Sequence, residues 1–181
     1  RLPYELRNRA LRKSLDAPGE HLLSPKDLCT AEILPELIRA GVSSLKIEGR
    51  MKSPEYVGCV VRVYRSVLDR FDAWARAQLE DGVSEENFDW ANAPRATAEE
   101  IQELSEAFSR GFTTAYLEGE RGNEIMSYAR PNNRGSFAGR IANVKGSRVE
   151  IDPAFPLVAG DVLEFWTNKG NIIHEIDEIE T

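Results

Sequence analysis

A carboxylate and two cations, Glu48, Arg50 and Lys52, gather around Gly49 directly after the alternating run of residues 44–47. Such an alternation is typical of a buried strand. In a parallel α/β sheet, the side chains that follow the carboxyl ends of the strands form the active site. Glu48 could serve there as a general base, and Arg50 and Lys52 could bind an anionic group. The alternative is that these charges pair with one another on a solvated loop.

Ser53 and Pro54 follow this charged group and predict the start of a helix, with Ser53 as its N-cap. The free amides of the first helical turn would lie close to Arg50 and Lys52. They would add an anion-binding helix N-terminus to the two cations.

Cys29 lies after a predicted strand and just before a helix, so we expect its thiol at the same end of the sheet as Glu48. A helix N-terminus stabilises a thiolate, which favours metal ligation or reactivity. The alternative is that Cys29 is a small residue buried for its packing. Cys59 lies beside the apolar stripe of a predicted helix, which favours core packing. The two cysteines form no C-x-x-C pair and no self-contained metal motif.

The spacing of apolar residues over residues 20–79 predicts the order β-α-β-α. A short strand within residues 20–28 leads to a helix that ends at Gly41. A second strand covers residues 42–47, and a long helix runs over residues 54–79. This order is typical of a parallel sheet with crossover helices, so the predicted fold class of this part is α/β. Two such units cannot close a TIM barrel, which takes eight strands.

Two punctuated stretches divide the rest of the chain. Residues 80–96 are acidic and predict an insertion or linker, and residues 97–100 form a capping-box pattern that opens another helix. Residues 128–135 are rich in Asn, Pro and Gly, which predicts a domain boundary after residues 1–127. Short alternating runs separated by glycine-containing turns then predict an all-β domain over residues 128–181, a small antiparallel barrel or sandwich.

The composition narrows the class of protein. Of 181 residues, 41% are hydrophobic and 29% are charged, as in an ordinary globular protein. No apolar run approaches the roughly 20 residues that a membrane span needs, and no signal-peptide pattern is present. We therefore expect a cytoplasmic protein without a membrane partner, in a reducing compartment where a disulfide is not expected.

The net charge of −7 is unevenly distributed. Residues 1–70 carry 13 Lys and Arg against 9 Asp and Glu, whereas residues 71–181 carry 10 against 21. The total charge therefore does not indicate a nucleic-acid partner. A local basic face in the first third of the chain stays open as an alternative to an ordinary solvated surface.

The stretch "SPKDLCTAEILPELIRAGVSSLKIEGRMKSPEYVGCVVRVYRSVLD", residues 24–69, closely resembles the U-thirty-two, or collagenase-like, peptidase family. The D-L-C, G-V-x-S-x-K-I-E-G-R-x-K-S-x-x-Y-V and V-x-x-Y-R patterns of that family are nearly intact. "RLPYEL" at the start is similar to the segment that follows the family's C-x-x-P-C motif. "FSRGFTTAYLEG" and "NNRGSFAGRI" match later landmarks, so the resemblance spans almost the entire chain.

The resemblance implies that residues 1–127 are the C-terminal part of a TIM-barrel-like catalytic domain. Residues 128–181 would be a small antiparallel β-barrel similar to the second domain of translational GTPases. The sequence opens on Arg1 rather than Met, so we expect a fragment of a longer protein whose barrel lies mostly upstream. Exposed sheet edges in such a fragment predict a homodimer or a covering element.

The resemblance also implies two activities for the longer protein, whereas the fragment alone is expected to be inactive. One is peptidase activity of unknown catalytic type. The other is oxygen-independent hydroxylation of tRNA, rRNA or ubiquinone precursors with an iron–sulfur cluster. We favour RNA hydroxylation over peptide cleavage, because Ser44 and Ser53 lack a base at a recognisable spacing. A third interpretation is a non-catalytic β-barrel module that binds RNA or protein.

The same resemblance assigns roles to individual residues. Glu48, Arg50 and Lys52 fit the charged catalytic rim of the barrel mouth, where they would position an acidic or phosphate-bearing substrate rather than attack it. Arg50, Lys52, Ser53 and Tyr56 are expected to bind that substrate, RNA or a peptide.

Cys29 matches the last of four cysteines that hold the cluster in cluster-bearing members. The other three would precede Arg1, and a lone cysteine cannot hold an iron–sulfur cluster. We therefore expect a cluster in the longer protein and none bound by this chain itself.

Overall fold

The structure, a computed structural model, describes residues 2–128 and 135–180. The chain divides into two compact units, Arg1–Gly135 and Ser136–Thr181. Within the described residues, helices occur only in the first unit, and the second contains strands and turns. None of the described helices combines the length and the apolar character that crossing a membrane requires.

Short strands and three α-helices build the first unit. The helices are α1 (Leu34–Arg39), α2 (Pro54–Glu80) and α3 (Ala98–Ala107). The strands are β1 (Arg7–Asn8), β2 (Lys13–Ser14), β3 (Asp27–Leu28) and β4 (Phe112–Thr113). β1 pairs with β2 in antiparallel orientation, and β3 pairs with β4 in parallel, with Asp27 opposite Phe112 and Leu28 opposite Thr113.

Local capping interactions explain where the helices begin and end. The Ser53 hydroxyl accepts a hydrogen bond from the Tyr56 amide at 3.3 Å, which confirms Ser53 as the predicted N-cap of α2. Thr97 and Glu100 form the predicted capping box at the start of α3. Gly41, at a φ of +87°, follows α1 where a left-handed residue is favoured.

A buried core cluster of the first unit lies between the helical turn before α1, the first half of α2 and α3. Its buried members are Ala31, Val60, Val63 and Leu104. Four aromatic residues of α2 and of the segment after it form a second packed group: Phe71, Trp74, Phe88 and Trp90. The centroids of their contacting rings lie 5.3–6.1 Å apart. Residues 80–96 thus contribute Phe88, which is buried, to the packing.

The predicted second strand over residues 42–47 is wrong. These residues adopt no strand and are mostly exposed. They run along an apolar groove of about 280 Å³ whose walls include Leu37 of α1 and Val61 of α2. The alternation of a strand is present in the sequence of these residues. However, β3 pairs with β4, so residues 42–47 have no partner strand. A strand without a partner would leave its backbone groups unpaired.

Four short strands in two hairpins form the described part of the second unit. β5 (Gly139–Lys145) pairs with β6 (Arg148–Pro153), and β7 (Val162–Thr167) pairs with β8 (Gly170–Glu175), both antiparallel. The predicted short antiparallel strands are therefore confirmed. The described residues of the chain form four separate two-stranded sheets and no closed barrel.

Candidate functional site

Two of the predicted site residues, Glu48 and Arg50, lie exposed on the loop before α2. A Glu48 carboxylate oxygen lies 3.7 Å from the Lys46 amine, and both side chains are mostly exposed. The backbone N–H of Arg50 donates to the other Glu48 oxygen at 3.1 Å. These are the contacts of a solvated loop, in which a carboxylate is held by its sequence neighbours.

The loop is pinned to the start of α2 by close packing at Gly49. A Cβ at this position would lie only 2.7 Å from a methyl carbon of Val57, so no side chain fits here without a shift. The Lys52 amide closes the turn by donating to the Gly49 carbonyl at 3.0 Å, and Met51 adopts a φ of +63°. This tight turn directs Lys52 back toward the body of the unit.

Lys52 is half-buried against two aromatic rings. Its amine lies over the ring of Phe108 and 5.1 Å from the ring centroid of Tyr56. The two rings meet edge-on with their centroids 6.2 Å apart. Among the residues that the structure describes, no ion pair joins Lys52 to a carboxylate.

An ion pair between Asp27 and Arg110 lies beside this lysine. The Arg110 backbone N–H and Nε donate to one Asp27 oxygen at 2.9 and 3.2 Å, and Nη2 donates to the other. The Asp27 and Arg110 side chains are only 22% and 16% exposed. The Arg110 guanidinium carbon lies 5.5 Å from the Phe108 centroid, so Lys52 and Arg110 contact the same ring. We call Asp27, Lys52, Tyr56, Phe108 and Arg110 the Lys52 cluster.

Burial and neighbouring charges shift the pKa values of this cluster. Desolvation lowers the pKa of Lys52, and the nearby Arg110 lowers it further, whereas Asp27 acts in the opposite direction. Desolvation raises the pKa of Tyr56, and the Asp27 charge adds to that effect. Tyr56 is therefore neutral at physiological pH.

Cys29 lies two residues after Asp27, directly after β3, and packs against the core of the first unit. Its amide donates to the Thr113 carbonyl at 3.0 Å, continuing the β3–β4 pairing. The Tyr64 hydroxyl donates to its Sγ at 4.0 Å, and Tyr64 in turn accepts from the Thr30 amide at 2.9 Å. Burial raises the pKa of the Cys29 thiol, against the smaller lowering by hydrogen bonds from the Ala31 amide and Tyr64. Desolvation thus outweighs the thiolate stabilisation that its place before a helix suggested.

The structure brings some of the predicted residues together and leaves others apart. Lys52 and Tyr56 lie near Asp27, and the raised pKa of Tyr56 also reflects the proximity of Cys29. Within the described residues, no hydrogen bond or ion pair joins Glu48 or Arg50 to this group.

Sequence reasoning missed Asp27, Phe108 and Arg110. Two of them lie in the quoted landmark "FSRGFTTAYLEG", and Asp27 lies in the D-L-C motif. The signal in the sequence was therefore an aspartate that begins β3 and an arginine two residues before β4.

The described side chains do not by themselves form a metal site. No group of three or more His, Cys, Asp or Glu side chains in the described ranges could hold a metal ion. Cys29 supplies one thiol, and the Cys59 thiol contacts the backbone carbonyl of Glu103 on α3 at 3.8 Å instead. An iron–sulfur cluster needs several thiolates, so the described side chains alone do not fit one.

Comparison with known proteins places the chain in a family. The model of peptidase family U32 matches residues 1–127. The chain belongs to this family. No solved structure matches it.

Curated relatives carry two kinds of name. The chain is 34% identical to the tRNA hydroxylation protein P1 of Bacillus subtilis, over 94% of this chain and 37% of the relative. It is 32% identical to a 23S rRNA 5-hydroxycytidine synthase of Escherichia coli, over 90% of this chain and 23% of the relative. It is 30% identical to a collagenase of Porphyromonas gingivalis, over 97% of this chain and 40% of the relative. The chain therefore spans about a quarter to two fifths of the length of these relatives.

Proposed function

We propose that this chain is part of a protein that hydroxylates tRNA or rRNA. Two relatives that match at least 90% of the chain are named for RNA hydroxylation. The structural observation that carries the proposal is the Lys52 cluster, in which a half-buried cation without an ion-pair partner among the described residues lies against two aromatic rings. A cation beside aromatic rings suits a nucleotide, whose phosphate is charged and whose base can stack.

The residues predicted from the sequence take different roles in this proposal. Lys52 and Tyr56 contact the bound RNA directly. Arg50, exposed on the loop, reaches the phosphate backbone further along the strand. Glu48 accepts a hydrogen bond or proton from the substrate, and Ser53 contributes by capping α2 and fixing the first turn of that helix.

An iron–sulfur cluster is part of the proposal only if residues outside this sequence supply its other ligands. Cys29 would supply one thiolate, held in place by the Thr113 carbonyl and the Tyr64 hydroxyl. A cluster of this kind would supply redox chemistry. Iron analysis and the visible absorption of the anaerobically purified full-length protein test this ligand, since Cys29→Ser should lower the iron content whereas Cys59→Ser should not.

Nucleoside analysis tests the proposed activity. We expect deletion of the gene to remove one hydroxylated nucleoside from tRNA or rRNA, as measured by mass spectrometry of digested RNA. The wild-type gene should restore it, Lys52→Met should restore it poorly, and Lys46→Met, which removes an exposed lysine from the same segment, should restore it fully. A deletion strain with an unchanged set of nucleosides would rule the proposal out.

Peptide cleavage is the second candidate, favoured by the relative named collagenase. The contacts of two candidate nucleophiles argue against it, because Ser53 caps a helix and Cys29 contacts a tyrosine rather than a base. Digestion of gelatin by metal-free full-length protein tests it. Cleavage that Glu48→Gln abolishes without unfolding the protein would favour the peptidase.

The finer fold assignments are also proposals. The parallel β3–β4 pair, with α1, α2 and α3 between its strands along the chain, supports a segment of a TIM-barrel-like domain. The two hairpins support a small barrel like the second domain of translational GTPases, completed by further pairing, which could serve as an RNA- or protein-binding module. The predicted homodimer stays a prediction, and size-exclusion chromatography tests it.

A further inference from the structure

The Lys52 cluster carries one positive charge more than its internal pairing balances. The carboxylate of Asp27 and the guanidinium of Arg110 neutralise each other in a hydrogen-bonded pair. Tyr56 is neutral, because burial raises the pKa of its hydroxyl. The charge of Lys52 is left over, and Asp27 cannot fully balance it, because both oxygens of that carboxylate already accept hydrogen bonds from Arg110.

A half-buried cation of this kind gains from a bound anion. Its removal from water is unfavourable, and the face of Phe108 compensates for only part of that loss. A phosphate beside the amine would restore an opposite charge and a charge-assisted hydrogen bond.

Arg110 is placed to join such a contact without leaving Asp27. Its bonds to Asp27 use the backbone N–H, Nε and Nη2. Within the described residues, Nη1 makes no hydrogen bond, so one edge of the guanidinium fork can donate to a second acceptor. Asp27 then acts as a positioning residue that fixes the orientation of Arg110 against Phe108.

We propose that Lys52 and Arg110 form a subsite for a backbone phosphate of single-stranded RNA, with the ring of Tyr56, which meets Phe108 edge-on, as the surface on which the adjoining base stacks. This rests on the proposed function, since it names the ligand of the same site. The rings favour RNA over an acidic peptide, because every base has a face that stacks on an aromatic side chain, whereas a carboxylate side chain has none.

The test measures how RNA affinity depends on salt. The full chain is titrated into a short fluorescently labelled oligouridylate, and the dissociation constant is determined by anisotropy over a series of salt concentrations. Each phosphate contact contributes about 0.7 to the slope of log affinity against log salt for a single strand. Lys52→Met, which replaces the amine by an unbranched apolar side chain, should lower the slope by about 0.7 and weaken binding about fivefold near 0.1 M salt.

Two further variants separate charge from structure. Lys52→Arg keeps the positive charge and should restore the slope of the wild type. Lys46→Met removes an exposed lysine that pairs with Glu48, and it should leave the slope unchanged. A slope that Lys52→Met does not change, or that Lys46→Met lowers equally, would overturn the subsite.

The ligand class and the proposed activity are checked separately. A poly-glutamate peptide of matched length is titrated in parallel, and binding of the peptide but not of oligouridylate through Lys52 would overturn the RNA assignment. If gene deletion removes a hydroxylated nucleoside while Lys52→Met leaves the salt slope intact, the subsite fails and the proposed function stands. If Lys52→Met lowers the salt slope while every hydroxylated nucleoside persists in the deletion strain, the RNA subsite stands and the proposed hydroxylation activity fails.

Discussion

The two units of this chain differ in where their apolar side chains lie. In the first unit, Leu34, Val63 and Val67 are at most 1% exposed. In the second unit, none of the described residues 136–180 is buried, and Val162, Trp166 and Ile173 are 60–72% exposed. The long helix α2 of the first unit and the two hairpins of the second both form regular backbone hydrogen bonds.

The comparison separates local order from packing. A hairpin needs only a turn and a few cross-strand hydrogen bonds, so the second unit acquires its strands from neighbouring residues. Isolated two-stranded hairpins are only marginally stable in water, because they bury little apolar surface. Apolar contacts between residues distant in the sequence therefore distinguish the first unit from the second.

The largest effect is expected for Leu34→Ala. Leu34 is 1% exposed, and truncating such a side chain leaves a cavity that costs about 3 kcal/mol of the free energy of unfolding. Urea unfolding followed by the fluorescence of Trp74 and Trp90, in a Trp166→Phe background, reports the first unit alone. Leu28→Ala is the matched control, since Leu28 is 63% exposed and should change stability by less than about 0.5 kcal/mol. Equal losses of stability in Leu34→Ala and Leu28→Ala would contradict the expected difference between a buried and an exposed position.

A smaller loss, about 2 kcal/mol, is expected for Gly49→Ala, because the added methyl group would press against Val57. The added substitution Val57→Ala should recover part of the loss. Gly58→Ala is the control, because Gly58 lies in α2 with no atom within 4 Å of an added Cβ, and alanine there should stabilise the helix by about 0.5–1 kcal/mol. Urea unfolding measures all three, and a Gly49→Ala variant as stable as wild type would show that the loop does not pack tightly.

The third effect depends on pH. Glu100 accepts two hydrogen bonds from Arg70, which holds its pKa at about 2 instead of 4.5. A lowered folded-state pKa stabilises the protein above pH 4.5, and this contribution is lost as the pH falls toward 2. Glu100→Gln should therefore cost about 1 kcal/mol at neutral pH and flatten the loss of stability in acid.

Urea unfolding at several pH values measures this contribution. Asp72→Asn removes an exposed ion pair with Arg76 on α2 and should change stability by only a few tenths of a kcal/mol. A Glu100→Gln variant whose stability falls in acid as steeply as that of wild type would contradict the assignment.

The smallest effect is expected in the second unit. Ile173 is 72% exposed on β8, so Ile173→Ala should change the stability of its hairpin by less than about 0.5 kcal/mol. Amide hydrogen exchange of β7 and β8 measures it, with Thr167→Ala, which removes the hydroxyl that donates to the Gly170 carbonyl, as a comparison. A loss near that of Leu34→Ala would mean that another surface covers this hairpin in solution.

Prediction from the sequence succeeded where structure depends on neighbouring residues. The start of α2 at Pro54, the capping box at Thr97 and the four short strands of the second unit follow from caps, turns and alternation. It failed at residues 42–47, because the same alternation forms a strand only if a partner strand lies alongside. In α2, only the tertiary structure separates neighbouring valines, because Val61 is 47% exposed and lines a groove whereas Val63 is buried.

The sequence by itself determined the helices, the hairpins, the membership in peptidase family U32 and the candidate residues Cys29, Lys52 and Tyr56, because short-range patterns carry that information. Only the tertiary structure decided which side chains meet. Asp27 and Arg110 lie 83 positions apart and pair beside Lys52 because β3 and β4 run in parallel. Glu48, four positions from Lys52, points instead into solvent. Proximity along the chain does not determine proximity in the fold, because long-range strand pairing and the packing of α2 set the direction of each side chain.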